Sequence, residues 1–188
     1  MGRGSAALLW LALIATAFLA PPNRPELLAW LIDLMTGEWG GHEPWVVAHF
    51  QLMGVWPALL ALLLRGDGPR SWPFRAGAFA LGCFALLPWL ALRTEGRPAP
   101  PDRLWGGVAV ALGVVAAALV AWAALFGSPA AWVSEASADG FVFVMAFDFV
   151  AFWLVGLLEA RARCPRWQWA FVPVIGLAAA IAERELRG

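Results

Sequence analysis

The sequence predicts an all-α membrane protein, and three observations lead to that prediction. Hydrophobic residues make up 62% of the 188 residues and charged residues only 14%, whereas a soluble domain has about 45–50% and about 25%. The mean hydropathy is +0.72. The apolar residues also form continuous runs rather than an alternating pattern, which favours helices over a closed barrel. We therefore expect a polytopic membrane helix bundle, a single membrane domain over residues 1–188.

Six runs approach the ~20 apolar residues that cross the hydrocarbon core of a bilayer, so about six transmembrane helices are expected. A shorter run at residues 25–35 is predicted to lie along the interface as an amphipathic helix. The first long run contains Ala15-Thr16-Ala17, which resembles a signal-peptidase site, and its cleavage would leave five helices. The long runs cover residues 5–20, 44–64, 72–92, 105–126, 141–158 and 167–182.

Charge and aromatic placement fit a lipid bilayer as the main partner. The chain has 13 basic and 13 acidic residues, so it has no basic excess for nucleic acid. Most tryptophans fall near the ends of the runs, where aromatic belts form. The loops at 93–104 and 161–166 hold three arginines each, which places both loops inside and both termini outside by the positive-inside rule. The turn with Arg65 and Arg70 then faces outward, against that rule.

Asp148 is the first candidate for a functional residue. It is the one charged residue in the apolar run of residues 141–158, and a carboxylate at membrane depth is costly unless it has a partner or a polar cavity. At 100° per residue, Glu159 lies three turns further on nearly the same helix face. The pair predicts a proton site, a ligand anchor or a buried ion pair, or else a structural carboxyl bonded to a neighbouring helix.

His49, Gln51 and Trp56 are further ligand-binding candidates in the second run. His49 and Trp56 are seven residues apart and share a helix face. A membrane histidine can ligate haem or chlorophyll, or it can hydrogen-bond a carbonyl. His42, Glu43 and His49 show no metal-ligand spacing, so no metal site is predicted.

Small residues at helical spacing predict close contacts between helices. The pairs are Ala78 with Gly82 and Ala109 with Gly113.

Two stretches carry a family resemblance. The first begins with residues 49–57, which read His-Phe-Gln-Leu-Met-Gly-Val-Trp-Pro, and continues with Ser-Trp-Pro-Phe at residues 71–74 and with residues 78–93, which include Leu-Gly-Cys-Phe-Ala-Leu-Leu-Pro-Trp. The second is residues 141–153, which include Val-Met-Ala-Phe-Asp-Phe. They resemble an uncharacterised family of multi-pass membrane proteins of cyanobacteria and plant plastids, with Gln51 where that family has Asn and Trp89 where it has Tyr. The resemblance implies a thylakoid-type membrane. The carboxyl-terminal part is loosely similar to plastid membrane proteins of neoxanthin formation.

Three functions stay open from the sequence. The favoured one is a non-catalytic accessory or assembly protein of a photosynthetic or pigment-containing membrane, with chlorophyll or carotenoid as candidate cofactors. The second is a membrane enzyme that acts on a carotenoid or isoprenoid lipid, with Asp148 as its acid or base. The third is a small proton-coupled transporter with Asp148 as the coupling site. The location expected is a bacterial inner membrane or a thylakoid-type membrane.

Overall fold

The chain is mainly helical in the part that the computed structural model describes, residues 1–93 and 98–187, and this part holds no strand. Short 3-10 turns lie at Arg65–Asp67, Pro69–Ser71 and Trp167–Phe171. The α-helices of the described residues are α1 (Arg3–Leu19), α2 (Leu27–Thr36), α3 (Pro44–Leu63), α4 (Trp72–Leu81), α5 (Cys83–Leu92), α6 (Arg103–Phe126), α7 (Pro129–Ala138), α8 (Gly140–Arg163) and α9 (Ile175–Arg187).

Three of these helices, α3, α6 and α8, are long and apolar enough to cross a membrane. They confirm the predicted helices at residues 44–64, 105–126 and 141–158, and α8 continues to Arg163. Helix α1 has 17 residues and matches the first run. Helix α2 confirms the short helix predicted at residues 25–35. The fold is thus a helical bundle of a membrane protein, but the described structure does not contain six continuous spans.

Residues 72–92 were predicted to form one spanning helix, and this prediction was wrong. They form two helices of ten residues, α4 and α5. The chain reverses at Gly82, which has a φ of +58° and a ψ of −145°. An ideal Cβ on Gly77 would lie 3.2 Å from the Cβ of Ala85, so α4 and α5 pack antiparallel. We call residues 72–92 the first hairpin.

The first hairpin returns the chain to the end of the bundle where it started. Asp67 precedes α4 and Arg93 follows α5, and their side chains form an ion pair with an N–O distance of 2.5 Å. Each helix of the hairpin is about 15 Å long, too short to cross a hydrocarbon core of about 30 Å. Length and hydropathy alone could not separate one long helix from two short ones packed together.

Residues 167–182 were also predicted to form a spanning helix, and this prediction was wrong too. After α8 the chain turns back along that helix. A hydrogen bond of 3.0 Å from the Trp153 indole to the Ala170 carbonyl shows this turn, since Trp153 lies ten residues before the end of α8. Val174, with a φ of +59°, precedes α9. We call residues 165–187 the second hairpin.

Helix α9 brings the second hairpin back to the end from which it entered. An ideal Cβ on Gly113 would lie 3.0 Å from the Cβ of Ala178, and one on Gly106 would lie 2.8 Å from Leu186. Helix α9 therefore runs antiparallel to α6 and ends near the start of that helix. Gly113 and the buried Ala109 form the close contact that their spacing predicts.

The two ends of the bundle carry opposite charge. Among the described residues, one end has eleven arginines and five acids, a net charge of six positive. The other end has Arg24 and six acids, a net charge of five negative. We call them the basic end and the acidic end. The basic end holds Arg3, Arg65, Arg70, Arg75, Arg93, Arg103, Arg161, Arg163, Arg166, Arg184, Arg187, Asp67, Asp102, Glu159, Glu183 and Glu185, and the acidic end holds Arg24, Glu26, Asp33, Glu38, Glu43, Glu135 and Asp139.

This division corrects the predicted placement of the arginine-rich loops. The turn at residues 65–71 lies at the same end as residues 98–104 and 161–166, because the first hairpin does not cross the bundle. Helix α1 begins and helix α9 ends at this same basic end. Arg97, which also entered the prediction, lies outside the described residues.

Candidate functional site

The carboxylate of Asp148 binds the tip of the first hairpin. The backbone N–H of Cys83 donates a hydrogen bond to Asp148 Oδ1 at 2.9 Å, and Asp148 is 5% exposed. Cys83 is the first residue of α5, where helix N–H groups lack partners within their own helix. The side chain of Asp148 therefore caps α5 from another helix.

Only glycine fits at position 82 of this tip. A Cβ there would lie 1.7 Å from Asp148 Oδ2, closer than any non-bonded contact. The φ of +58° combined with a ψ of −145° is also a backbone conformation that other residues rarely adopt. Gly82 was predicted as a packing residue. It does allow close approach, but what approaches is a carboxylate rather than a helix surface.

Glu159 belongs to a closed ring of four charged side chains at the basic end. Arg163 lies 2.8 Å from Asp67 and 3.1 Å from Glu159. Arg93 contacts the same two carboxylates, Asp67 at 2.5 Å and the other oxygen of Glu159. All four side chains are 10% exposed or less. The amine of Met1 lies 2.8 Å from Glu159. We call these four side chains the charge ring.

The charge ring and Asp148 together hold α5 at both of its ends. Asp148 binds the first residue of α5, and Glu159 binds Arg93 just after the last residue. Eleven residues of α8 span about 16 Å and ten residues of α5 about 15 Å, so the two contacts match in spacing. This confirms that Asp148 and Glu159 share a face of α8. Removal of one partner of such a buried pair leaves an uncompensated charge.

His49 is packed among aromatic rings in α3. The Trp132 indole donates a hydrogen bond to His49 Nδ1 at 3.2 Å, and the Phe149 ring meets the imidazole edge-on with a centroid distance of 5.0 Å. Because Nδ1 accepts this hydrogen bond, the proton of the neutral imidazole is on Nε2. Neither nitrogen then offers a free lone pair, so a haem or chlorophyll metal has to displace Trp132 before it can bind His49.

Gln51 and Trp56 both hold neighbouring helices in place. The Gln51 amide donates a hydrogen bond to the Leu34 carbonyl at 2.7 Å, which fastens the last turn of α2 to α3. Trp56 is fully buried and stacks on Phe152 of α8, with ring planes 6° apart and centroids 6.1 Å apart. The structure thus brings Trp56 into contact with α8, whereas the Gln51 amide contacts α2.

A second buried cluster at the basic end was not predicted from the sequence. Glu185 of α9 is fully buried and accepts hydrogen bonds from Arg65 at 3.0 Å and from the Asp102 backbone N–H at 2.7 Å. Arg184 also pairs with Glu185. The sequence places these residues at segment ends, where charges are normally solvated. The sequence showed only that Arg65, Arg184 and Glu185 each follow the end of an apolar run.

The acidic end has a simpler arrangement around Arg24. Its guanidinium lies 2.7 Å from Asp139 and 3.2 Å from Glu135. These residues and His42 line an open groove of about 510 Å³. Burial by itself raises the pKa of Asp139, but hydrogen bonds from the Arg24 side chain and from the backbone N–H groups of Val142 and Arg24 bring that pKa below its usual value.

Among the residues that the structure describes, no group of three or more His, Cys, Asp or Glu side chains is placed to hold a metal ion. No protein-family model, curated protein or solved structure matches the chain.

Proposed function

We propose that this chain is a multi-pass membrane protein with four crossing helices and two re-entrant hairpins. Helices α3, α6 and α8 have the length and hydropathy of spans, and the 17 residues of α1 fall within the range of about 17–25. Both hairpins enter from the basic end. Irregular backbone at membrane depth requires partners for its polar groups within the protein. Asp148 accepts from the Cys83 N–H at the tip of the first hairpin, and at the tip of the second hairpin the Val172 N–H bonds to the Trp169 carbonyl.

The proposed orientation puts the basic end on the cytoplasmic side, or on the stromal side of a thylakoid-type membrane. Cytoplasmic loops carry the excess of arginine, and the described basic end has six net positive charges. Every arginine-rich turn then obeys the rule, including the turn with Arg65 and Arg70 that had contradicted it.

The function proposed for this membrane protein is a non-catalytic accessory or assembly role in a photosynthetic or pigment-containing complex. One observation supports it most: residues from both stretches of the family resemblance hold the bundle together. Asp148 caps α5, Gln51 fastens α2, and Trp56 stacks on α8. Their shared role is architectural, which leaves the outer surface as the place where a partner binds.

Helix α6 offers the outer surface that fits a partner helix. Only 17% of its most apolar window is buried, against 67% for α3. One exposed face has small residues at a spacing that lets another helix approach closely. We call it the outer face of α6, and it consists of Gly107, Ala111, Val114, Ala118, Ala121 and Leu125.

Purification in mild detergent from the native membrane tests this proposal. We expect the chain to co-purify in fixed stoichiometry with a larger complex, or with bound chlorophyll or carotenoid. Ala118→Trp adds bulk to the outer face of α6 and should release the complex, because close helix approach is lost. Ala17→Trp makes the same change at an exposed position of α1 and should leave it intact. A colourless, solitary wild-type protein contradicts the accessory function.

A proton-coupled transporter is the second candidate, because of the break at the hairpin tip. Transporters place their sites where helices are interrupted within the membrane, and here a carboxylate meets the break at Gly82. In proteoliposomes, Asp148→Asn keeps an oxygen acceptor for Cys83 but removes the titratable group. Transport coupled at this site is expected to lose its dependence on a pH gradient in the variant, whereas Glu38→Gln, at an exposed acid, should not change it. Coupled flux that persists in Asp148→Asn excludes this candidate.

A further inference from the structure

We propose that the last turn of α8 and the start of the second hairpin form a binding site for anionic glycerophospholipid at the basic end, from Arg161 and Arg166 with the indoles of Trp167 and Trp169. The site goes beyond the accessory role and rests on the membrane orientation proposed above. Its ligand class is a phosphodiester headgroup attached to acyl chains, as in phosphatidylglycerol.

The charge of the basic end provides the attraction. The described residues there have six net positive charges, and each arginine near an anionic leaflet contributes to electrostatic binding. Arg161 and Arg166 are both exposed. Glu183 takes up part of this charge, because it lies 3.1 Å from Arg166 and 3.0 Å from Arg187. Two arginines thus share one carboxylate, so a positive charge remains for a phosphate.

Two indole rings lie beside the two guanidinium groups. The Arg161 guanidinium carbon is 5.5 Å from the Trp167 ring centroid, and that of Arg166 is 5.2 Å from the Trp169 centroid. A guanidinium beside an aromatic face is held by a cation–π interaction. It still has several N–H donors in its plane, and these match the oxygens of a phosphate.

Exposed apolar side chains next to these cations indicate a lipid rather than a free phosphate. Trp169 is 40% exposed, Phe171 54% and Val172 56%. Tryptophan is enriched at the headgroup level of a bilayer. After Trp169 the chain continues to Ala170, whose carbonyl accepts a hydrogen bond from Trp153 of α8. A phosphodiester beside the arginines would place its acyl chains along Phe171 and Val172, and a soluble phosphate would make no use of these residues.

Native mass spectrometry of the purified full-length chain tests the site. The protein in detergent is titrated with phosphatidylglycerol or with phosphatidylcholine, and retained lipid is measured as the collision energy increases. We expect phosphatidylglycerol to bind at least about tenfold more tightly than the zwitterionic lipid. The double variant Arg161→Gln with Arg166→Gln should bring both lipids to the same affinity. Arg103→Gln, at another exposed arginine of the basic end, should keep the preference.

Three outcomes would overturn the inference: equal retention of the two lipids by the wild-type protein, an unchanged preference in the double variant, or an equal loss in Arg103→Gln. Displacement of phosphatidylglycerol by millimolar inorganic phosphate would show that the site takes a free anion and not a lipid. Near-native helical content of the double variant, measured by circular dichroism, guards against misfolding. Failure here leaves the accessory function standing if the chain still co-purifies with its complex.

Discussion

The first hairpin and α6 are both apolar segments of more than 20 residues, yet one folds back on itself and the other runs straight. Residues 72–92 break at Gly82, whereas the 24 residues of α6 continue through Gly113. The difference is in what each glycine meets. Gly113 faces the Ala178 methyl group, and Gly82 faces the Asp148 carboxylate.

This comparison shows when a glycine inside an apolar run ends a helix. Breaking a helix in a membrane frees N–H groups that water cannot reach, and each unsatisfied group costs several kcal/mol, roughly. Asp148 accepts from the Cys83 N–H and so removes much of that cost. Gly113 has an apolar neighbour, so the continuous helix is the lower-energy state. The break therefore depends on an acceptor from another helix and not on the glycine alone.

Labelling of single cysteines from the two sides of the membrane gives the largest expected effect, because the result is all or none. In a background of Cys83→Ala and Cys164→Ala, Arg70→Cys and Pro101→Cys flank the first hairpin, and Ala130→Cys follows α6. A membrane-impermeant maleimide should reach positions 70 and 101 from the same side and position 130 from the other. Labelling of 70 and 101 from opposite sides would show that residues 72–92 cross the membrane.

Gly82→Ala is expected to destabilise the protein by about 4 kcal/mol or more, in the range of the most severe substitutions. The new methyl group collides with the Asp148 carboxylate, and the backbone conformation is strained. Thermal unfolding in detergent measures the loss. Because Asp148→Ala removes the colliding atoms, the double variant should lose less than the sum of the single variants.

Gly107→Ala is the control for that measurement, since nothing lies within 4 Å of its Cβ position on α6. It should leave stability unchanged or raise it by roughly 0.5–1 kcal/mol, the usual gain of alanine over glycine in a helix. Equal losses at positions 82 and 107 would mean that the Asp148 contact does not define the hairpin.

Glu159→Gln should destabilise the protein by about 3–5 kcal/mol, because Arg93 and Arg163 then lose a buried partner. The loss appears as a lower unfolding temperature in detergent and as faster proteolysis near residue 93. Glu43→Gln is unsuitable as a control, since Glu43 caps α3. Glu38→Gln, at an exposed acid, should change stability by less than about 0.5 kcal/mol. Similar losses in both variants would argue that the charge ring does not hold the hairpin.

The smallest effect is expected at the acidic end and depends on pH. The folded-state pKa of Asp139 lies below its ordinary value of 3.8, so its pairing with Arg24 stabilises the protein fully above about pH 4. That contribution is lost as the pH falls through the lower, folded-state value. The pair is partly exposed, so about 1 kcal/mol or less is involved.

Asp139→Asn keeps a residue that can cap α8 but removes the titration. Its unfolding temperature should therefore fall less than that of the wild-type protein between pH 6 and pH 3. Glu26→Gln, at an exposed acid of the same end, should follow the wild-type curve. If the unfolding temperature of the wild-type protein falls with pH in the same way as that of Asp139→Asn, Asp139 is not the source of the acid sensitivity.

Composition and continuous apolar runs were sufficient to predict the class of protein and most of its long helices. Helices α1, α3, α6 and α8 were predicted because a span of sufficient length reads directly from the sequence. Asp148 was singled out because a charge in such a run has few explanations. The placement of Asp148 and Glu159 on one face of α8 follows from helical periodicity alone.

The tertiary structure decided which apolar runs turn back and what the buried charges bind. The helix breaks at Gly82 because Asp148 lies beside it, 66 positions away in the chain. A local sequence pattern carries no information about a contact at that separation. Asp67, Arg93 and Glu185 lie near turns, where sequence reasoning assigns charges to solvent, but packing buries and pairs them. Local propensity and hydropathy describe a residue and its neighbours, whereas the cost of a broken helix or a buried charge depends on distant partners.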